Sequence, residues 1–161
     1  MNELKSQKIL LAVTGSISAY KAYDLCRALV KEQHEVKVVL TKGALEFIKA
    51  ETFKYLGASE VFGPADDFSS SAANNILHIT LANWAQKIVV APLSANSLAR
   101  IAMGEASDLL SSILLTFKKD VLLFPAMNTK MLSNPLVQRN LNICREVLNY
   151  HVHRTEHGVL A

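Results

Sequence analysis

Lys8-Ile-Leu-Leu-Ala-Val-Thr14 is an unbroken apolar run between two polar residues. A strand with one wet face alternates apolar and polar positions, so an unbroken run predicts a strand buried on both faces. It ends at Gly15-Ser16-Ile17-Ser18, after which the period changes. Ala22, Leu25, Cys26, Leu29 and Val30 fall at i, i+3, i+4, i+7 and i+8, opposite Lys21, Asp24, Arg27 and Lys31, which predicts an amphipathic helix. A second strand, Val36-Lys-Val-Val-Leu-Thr41, follows a short His34-Glu35 connection. A strand–helix–strand unit of this length implies parallel strands with a right-handed crossover.

The alternation continues. Gly43–Tyr55 reads as a helix and Ser59–Phe62 as a short strand, closed by Gly63-Pro64. Asp66–Asn75, rich in Ser, Asp and Asn, reads as a surface loop. Lys87-Ile-Val-Val-Ala91 and Asp120-Val-Leu-Leu-Phe124 read as further buried strands. Ser97–Phe117 reads as helix interrupted near Gly104, and Pro135–Tyr150 as a helix with proline in its first turn. His151–Arg154 reads as a last strand. The expectation is one α/β domain with a mainly parallel sheet.

Composition narrows the function classes. The 161 residues are 50 % hydrophobic and 19 % charged, which excludes disorder and fits one domain with a sizeable core. A net charge of +3, spread without a basic run, argues against a nucleic-acid-binding stripe or an anionic membrane surface. The apolar runs are strand-sized, too short for a bilayer, and Met1–Gln7 is followed by no export-type apolar region. Cys26 and Cys144, far apart and outside any metal-ligand spacing, fit a reducing, cytoplasmic setting.

In a parallel sheet, ligands bind outside the carboxyl ends of the strands. Four such ends carry small or polar residues: Thr14-Gly-Ser-Ile-Ser18, Thr41-Lys-Gly43, Ala91-Pro-Leu-Ser-Ala-Asn96 and Pro125-Ala-Met-Asn128. Gly15 permits a tight turn, and the free N–H groups opening the next helix would suit a phosphate. The run matches neither the dinucleotide nor the P-loop fingerprint. Ser16 or Ser18 could equally serve only to cap the helix. Ser94, Asn96 and Ser97 face the same choice between capping and binding an anion or a planar ring. His78, beside an apolar segment, is either a structural histidine or a group suited to proton transfer near neutral pH. Asn128 is either a turn residue or an amide that holds a carboxylate. Met127 and Met131 read as packing. His151, His153 and His157 lack companion ligands for a metal site.

Five segments together resemble the homo-oligomeric flavin-containing cysteine decarboxylases. They are Val13-Thr-Gly-Ser-Ile-Ser-Ala-Tyr-Lys21, His78-Ile-Thr-Leu-Ala-Asn-Trp-Ala85, Ala91-Pro-Leu-Ser-Ala-Asn-Ser-Leu-Ala99, Gly104-Glu-Ala-Ser-Asp-Leu-Leu110 and Pro125-Ala-Met-Asn-Thr-Lys-Met131. Each is short, but they span nearly the whole chain in the family's order. The resemblance implies a Rossmann-like, flavodoxin-type three-layer α/β sandwich that binds FMN in a homotrimer, or in a dodecamer of trimers. By position, Gly15, Ser16, Ile17, Thr41, Ser94, Ala95, Asn96 and Ser97 would hold FMN, with Ala126 against the flavin. His78 would be the catalytic base, and Asn128 would bind the substrate carboxylate. The implied substrate is a small molecule ending in cysteine, phosphopantothenoylcysteine in coenzyme A biosynthesis. The implied reaction is oxidation of its thiol to a thioaldehyde, loss of carbon dioxide toward sulfur, and return of hydride to the enethiol. The organic cofactor does the hard step and the protein orients it.

Two departures accompany the resemblance. Leu132 follows Met131 where the family often has Trp, and the chain stops at Gly158-Val-Leu-Ala161, where the family's substrate clamp runs on into a Cys-Gly pair. Neither Cys26 nor Cys144 fits that motif, so the expectation is a chain truncated within its clamp. The competing assignments are a peptidyl-cysteine decarboxylase of lantibiotic type, a flavin prenyltransferase, and a non-catalytic FMN-binding regulatory subunit.

Overall fold

The computed structural model describes residues 5–68 and 76–154. Much of the polar stretch expected as a loop lies outside them, as do His157 and the Gly158–Ala161 terminus. The strands are β1 (Lys8–Val13), β2 (Glu35–Leu40), β3 (Glu60–Phe62), β4 (Lys87–Leu93), β5 (Asp120–Pro125) and β6 (His151–Val152). They form one six-stranded sheet in the order β3-β2-β1-β4-β5-β6, and every pairing is parallel. The chain winds outward in one direction from β1 to β3, then returns to wind the other way from β4. The order therefore reverses between β1 and β4, which opens a crevice at their carboxyl ends.

The unbroken apolar run of β1 is explained by its neighbours. Ile9, Leu11 and Val13 face a core built with α1 (Lys21–Lys31) and α2 (Ala50–Tyr55), through Ala22, Cys26 and Phe53. Leu10 and Ala12 face the opposite core. That second core is built with α3 (Leu77–Trp84), α4 (Ala95–Met103), α5 (Leu109–Thr116) and α7 (Pro135–Asn142), through Leu81, Leu98, Ile113 and Leu141. Helices thus cover both faces of the sheet, and the domain has the three layers expected of it. A four-residue helix, α6 (Thr129–Leu132), follows β5.

Three helix expectations change. Gly43–Tyr55 is a 3₁₀ turn (Ala44–Glu46) followed by α2, separated at Lys49, whose backbone is extended. Tyr23 causes the break: its Oη accepts from Lys49 N–H at 2.7 Å and donates to Lys49 O at 3.2 Å, removing both groups from a continuous helix. Pro135–Tyr150 is α-helical only to Asn142; it widens to a π turn over Ile143–Val147 and ends at Asn149, in the left-handed region at φ 57°. Leu77–Trp84 forms a helix that the sequence pattern did not mark. Its β-branched Ile79 and Thr80 and its Asn83 are weak helix formers, and packing of Leu81 and Ala82 against α5 compensates. The interruption near Gly104 is where expected, with Gly104 at φ 71° closing α4.

Candidate functional site

The crevice between β1 and β4 is organised by one buried hydroxyl. Thr14, wholly buried, follows the last residue of β1. Its Oγ1 donates to Pro92 O at 2.8 Å and accepts from Ser94 N–H at 2.7 Å. Thr14 N–H also reaches Pro92 O at 3.2 Å. This one residue thereby holds the ends of two strands in fixed register, just where both release their chains into binding turns. On the next strand, Ala126 N–H donates to Leu93 O at 3.0 Å, setting the short Ala126 side chain beside the end of β4.

The turn after β1 lies directly on the turn after β2. A Cβ built on Gly15 would stand 2.9 Å from both the carbonyl carbon and the Cα of Gly43, and one on Gly43 would stand 3.1 Å from the Cα of Gly15. Only a pair of glycines lets these backbones meet without displacement. Thr41 supports the second turn by accepting Ala44 N–H at its Oγ1, 3.3 Å away.

A cavity of about 250 Å³ opens above these turns. Gly15, Thr41, Ser94, Asn96 and Ser97, all picked out from the sequence, line it. Ser94 caps α4, its Oγ accepting from Ser97 N–H at 3.2 Å, which leaves its own O–H proton free to donate. Ser16 caps the short 3₁₀ turn Ile17–Tyr20, and its hydroxyl lies 3.0 Å from that of Ser18. Capping and ligand binding are therefore compatible here, since a capping hydroxyl uses only its acceptor side. Ser16, Ile17 and Ala95 adjoin the lining residues in sequence but do not line the cavity themselves.

His78 and Asn128 are not among the cavity's lining residues. His78 stands in the first turn of α3, partly buried. Asn128 is exposed and caps α6, its Oδ1 accepting from Lys130 N–H at 2.8 Å. That bond fixes the amide and leaves both its N–H donors available. Of the terminal histidines, His153 stacks on Phe124 with ring centroids 4.2 Å apart, a packing role.

The structure adds lining residues to which the sequence reading gave no site role: Lys42 and Gly43, within the strand end Thr41-Lys-Gly43, and Pro64, Asp67, Arg100, Ser107 and Asp108. Asp108 caps α5. It accepts from Ser111 N–H at 2.8 Å, while Ser111 Oγ takes Asp108 N–H, a reciprocal cap opening α5. Its other oxygen lies 3.4 Å from the Arg100 guanidinium, which also donates to Ser107 at 3.2 Å. Asp67 had no sequence signal, because it comes from the distant turn after β3. It accepts Leu109 N–H at 3.1 Å and so fastens that turn to the start of α5. Burial pushes its carboxyl above the usual range, helped by the charges of Asp108 and Asp66 and opposed by the Leu109 N–H and Arg100.

Neither cysteine takes part. Both are buried, and burial pushes each thiol up to about 11. Each is held protonated and away from the crevice.

The Flavoprotein family pattern matches residues 1–160. The chain belongs to the Flavoprotein family. Among curated relatives it is 40 % identical over 143 residues to a probable phosphopantothenoylcysteine decarboxylase of Streptococcus mutans, covering 88 % of this chain and 79 % of that one. It is 39 % identical over 140 residues to the coenzyme A biosynthesis bifunctional protein CoaBC of Bacillus subtilis, covering 87 % of this chain and 34 % of the relative. This flavoprotein thus spans about a third of the length of such bifunctional relatives. Among solved structures, PPC decarboxylase mutant C175S complexed with pantothenoylaminoethenethiol superposes with TM-score 0.80 at 34 % identity, covering 92 % of this chain and 82 % of that one. The FMN binding protein AtHal3 superposes with TM-score 0.83 at 33 % identity, covering 98 % and 85 %. These neighbours share the Rossmann-like fold of this flavoprotein.

Two predictions follow from the site's hydrogen bonds and charges. Thr14→Val keeps the shape but strands the buried Ser94 N–H, and urea unfolding should show a loss of about 1–3 kcal/mol. For Asp67 the sign is set by its raised pKa. Between the ordinary carboxylate range and that raised value the folded chain binds more proton than the unfolded one, so stability falls as pH rises through this window. Asp67→Asn keeps an acceptor for Leu109 N–H without the charge. Thermal melts from pH 3 to 7 should show a flatter acid-to-neutral decline than wild type, with a Tm at pH 7 no lower.

Proposed function

We propose that this flavoprotein uses FMN to decarboxylate the cysteine end of phosphopantothenoylcysteine, giving phosphopantetheine. The observation that carries the reading is the paired-glycine cavity at the point where the strand order reverses. It occurs in a chain closely similar, along most of its length, to a probable phosphopantothenoylcysteine decarboxylase. Membrane chemistry has no support in the helices: among the described residues none is long and apolar enough to cross a bilayer.

The residues present fit such a cofactor. Gly15 and Gly43 bare their backbone to the cavity, and a side chain on Gly15 would drive into the Gly43 backbone. The hydroxyls of Thr41, Ser94 and Ser97 and the amide of Asn96 supply donors, and the start of α4 adds free backbone N–H groups for a phosphate. Ala126 presents only a methyl beside the end of β4, which leaves room for a planar ring.

When bound, FMN supplies the two-electron oxidant that makes a thiocarbonyl of the cysteinyl thiol and so prepares the carboxylate to leave as carbon dioxide. The protein's part is orientation and proton transfer. His78 has no hydrogen-bond partner among the described residues, so its imidazole is available to take a proton from the substrate. Asn128, fixed by its cap bond, turns two N–H donors outward to hold the substrate carboxylate.

The same reading includes a homotrimer, alone or as a dodecamer. The cavity's 250 Å³ falls below the roughly 300–1,000 Å³ of pocketed ligands, so one chain covers only part of a cofactor of this size. Beside it, Ile17 and Tyr20 are about half exposed, at 56 % and 51 %, and Phe47 on the next turn is 51 % exposed. Large apolar side chains bared around an incomplete cavity fit a surface that a second copy covers.

Wild-type protein reconstituted with FMN should be yellow and, by light scattering at micromolar concentration, should have a mass that is a multiple of three chains; a colourless monomer overturns the assignment. In an assay of carbon dioxide release from phosphopantothenoylcysteine, His78→Asn and Asn128→Asp should each lose at least about a hundredfold in rate while retaining flavin. Asp still caps α6 but repels the substrate carboxylate. Release from a peptide ending in cysteine, with none from phosphopantothenoylcysteine, would move the chain to the peptidyl-cysteine class.

A further inference from the structure

The helix that carries His78 is gripped at its far end. His78 stands in the first turn of α3, where Ile76 supplies no side-chain cap and Leu77 is only half-buried. Beyond the last turn, Ala85 is wholly buried, with extended backbone at φ −68° and ψ 138°. Gln86 then fastens the chain to β1, donating its N–H to Lys8 O at 2.9 Å and accepting Lys8 N–H at its Oε1, 2.8 Å away. Those bonds lie past the extended residue, so they hold the exit of the chain and leave the helix axis free to pivot at Ala85.

Two lysines remove that freedom. Lys119, just ahead of β5, donates from its Nζ to Ala85 O at 2.8 Å. Lys37 of β2 lies opposite Leu10 in the ladder and so faces the core shared with α3, a position where a lysine is out of place. Its side chain is only 14 % exposed; its ammonium lies 4.6 Å from the centre of the Trp84 ring and pairs with Glu60. Both cations thus sit at the negative end of the helix dipole, one on an open carbonyl and one on the ring of the last helical residue. Ile79, Thr80 and Asn83 give α3 little stability of its own, so its placement is set by these contacts and by Leu81 and Ala82 against α5.

We propose that Lys37 and Lys119 are positioning residues for His78: they clamp the end of α3 to β2 and to the start of β5, and so fix where the imidazole stands. The inference rests on the role of His78 as proton acceptor proposed above. Neither lysine lines the cavity between β1 and β4. Their loss therefore acts on the rate of the chemical step and not on flavin binding, since a displaced base transfers protons poorly.

The test uses the FMN-loaded chain and the release of carbon dioxide from phosphopantothenoylcysteine. Lys37→Met/Lys119→Met keeps both stems and removes both ammonium groups. It should lower kcat by about tenfold or more, with KM and flavin occupancy within about twofold of wild type. Lys37→Arg/Lys119→Arg, which keeps both cations, should recover most of kcat. In the His78→Asn background the Met pair should change the rate by less than about twofold, because its effect passes through the absent imidazole. If the paired variant does not fold, Lys119→Met alone is read in the same way, with a loss of about threefold or more. An unchanged kcat, flavin lost along with activity, or an equal loss in the His78→Asn background overturns the positioning role and leaves the decarboxylase reading standing. A wild-type chain that releases no carbon dioxide, or a His78→Asn variant as fast as wild type, overturns the proposed role of His78 and this inference together.

Discussion

The site depends on a single side-chain hydroxyl. Thr14 is buried at the ends of two neighbouring parallel strands, and its Oγ1 both donates and accepts across the gap. Without that bridge, the buried Ser94 N–H would lose its partner, and the Pro92 carbonyl would keep only the longer bond from Thr14 N–H. Because Ser94 is also the cap of α4, the same bridge sets where that helix begins and where its free N–H groups face. The close contact of Gly15 with Gly43 extends this order sideways, from β1 to β2. Three strand ends are thereby locked into one rim through a few short contacts.

The rim is chemically divided. Small residues and hydroxyls dominate the side made by β1, β2 and β4, while carboxylates line the side made by the β3 turn and the start of α5, where Arg100 of α4 pairs with Asp108. The division has a structural origin. Asp108 and Asp67 are there because the start of α5 needs acceptors: one caps the helix and the other takes Leu109 N–H. Carboxylates at a helix N-terminus are favourable, but burial and then the charge of Asp108 raise the cost of ionising Asp67. Groups recruited to finish a helix thus become the electrostatic wall of a cavity.

Much of this architecture follows from the sequence alone. The unbroken run Ile9–Val13 could only be a strand with helices on both sides, and the two periods of apolar spacing placed β1, α1 and β2 in order. The polar strand ends then pointed to the rim, since ligands gather where parallel strands stop. Gly15, Thr41, Ser94, Asn96 and Ser97 were readable for that reason. Local chemistry also governs Gly104, where the α4 helix has to turn left-handed.

Other features required the fold, because their causes lie far apart in the chain. Tyr23 breaks the helix expected at Gly43–Tyr55 by capturing both backbone groups of Lys49, and no local pattern announces a partner 26 residues away. The α3 helix exists through packing on α5 rather than through its own propensity. Asp67 joins the cavity through a bond to Leu109, 42 positions on. Sequence determined the strands, their order and the end of the sheet where the cavity opens, because periodicity and turn chemistry act over a few residues. Tertiary structure decided which distant groups share the cavity and with what charge, because burial and hydrogen bonding act across space without regard to position in the chain.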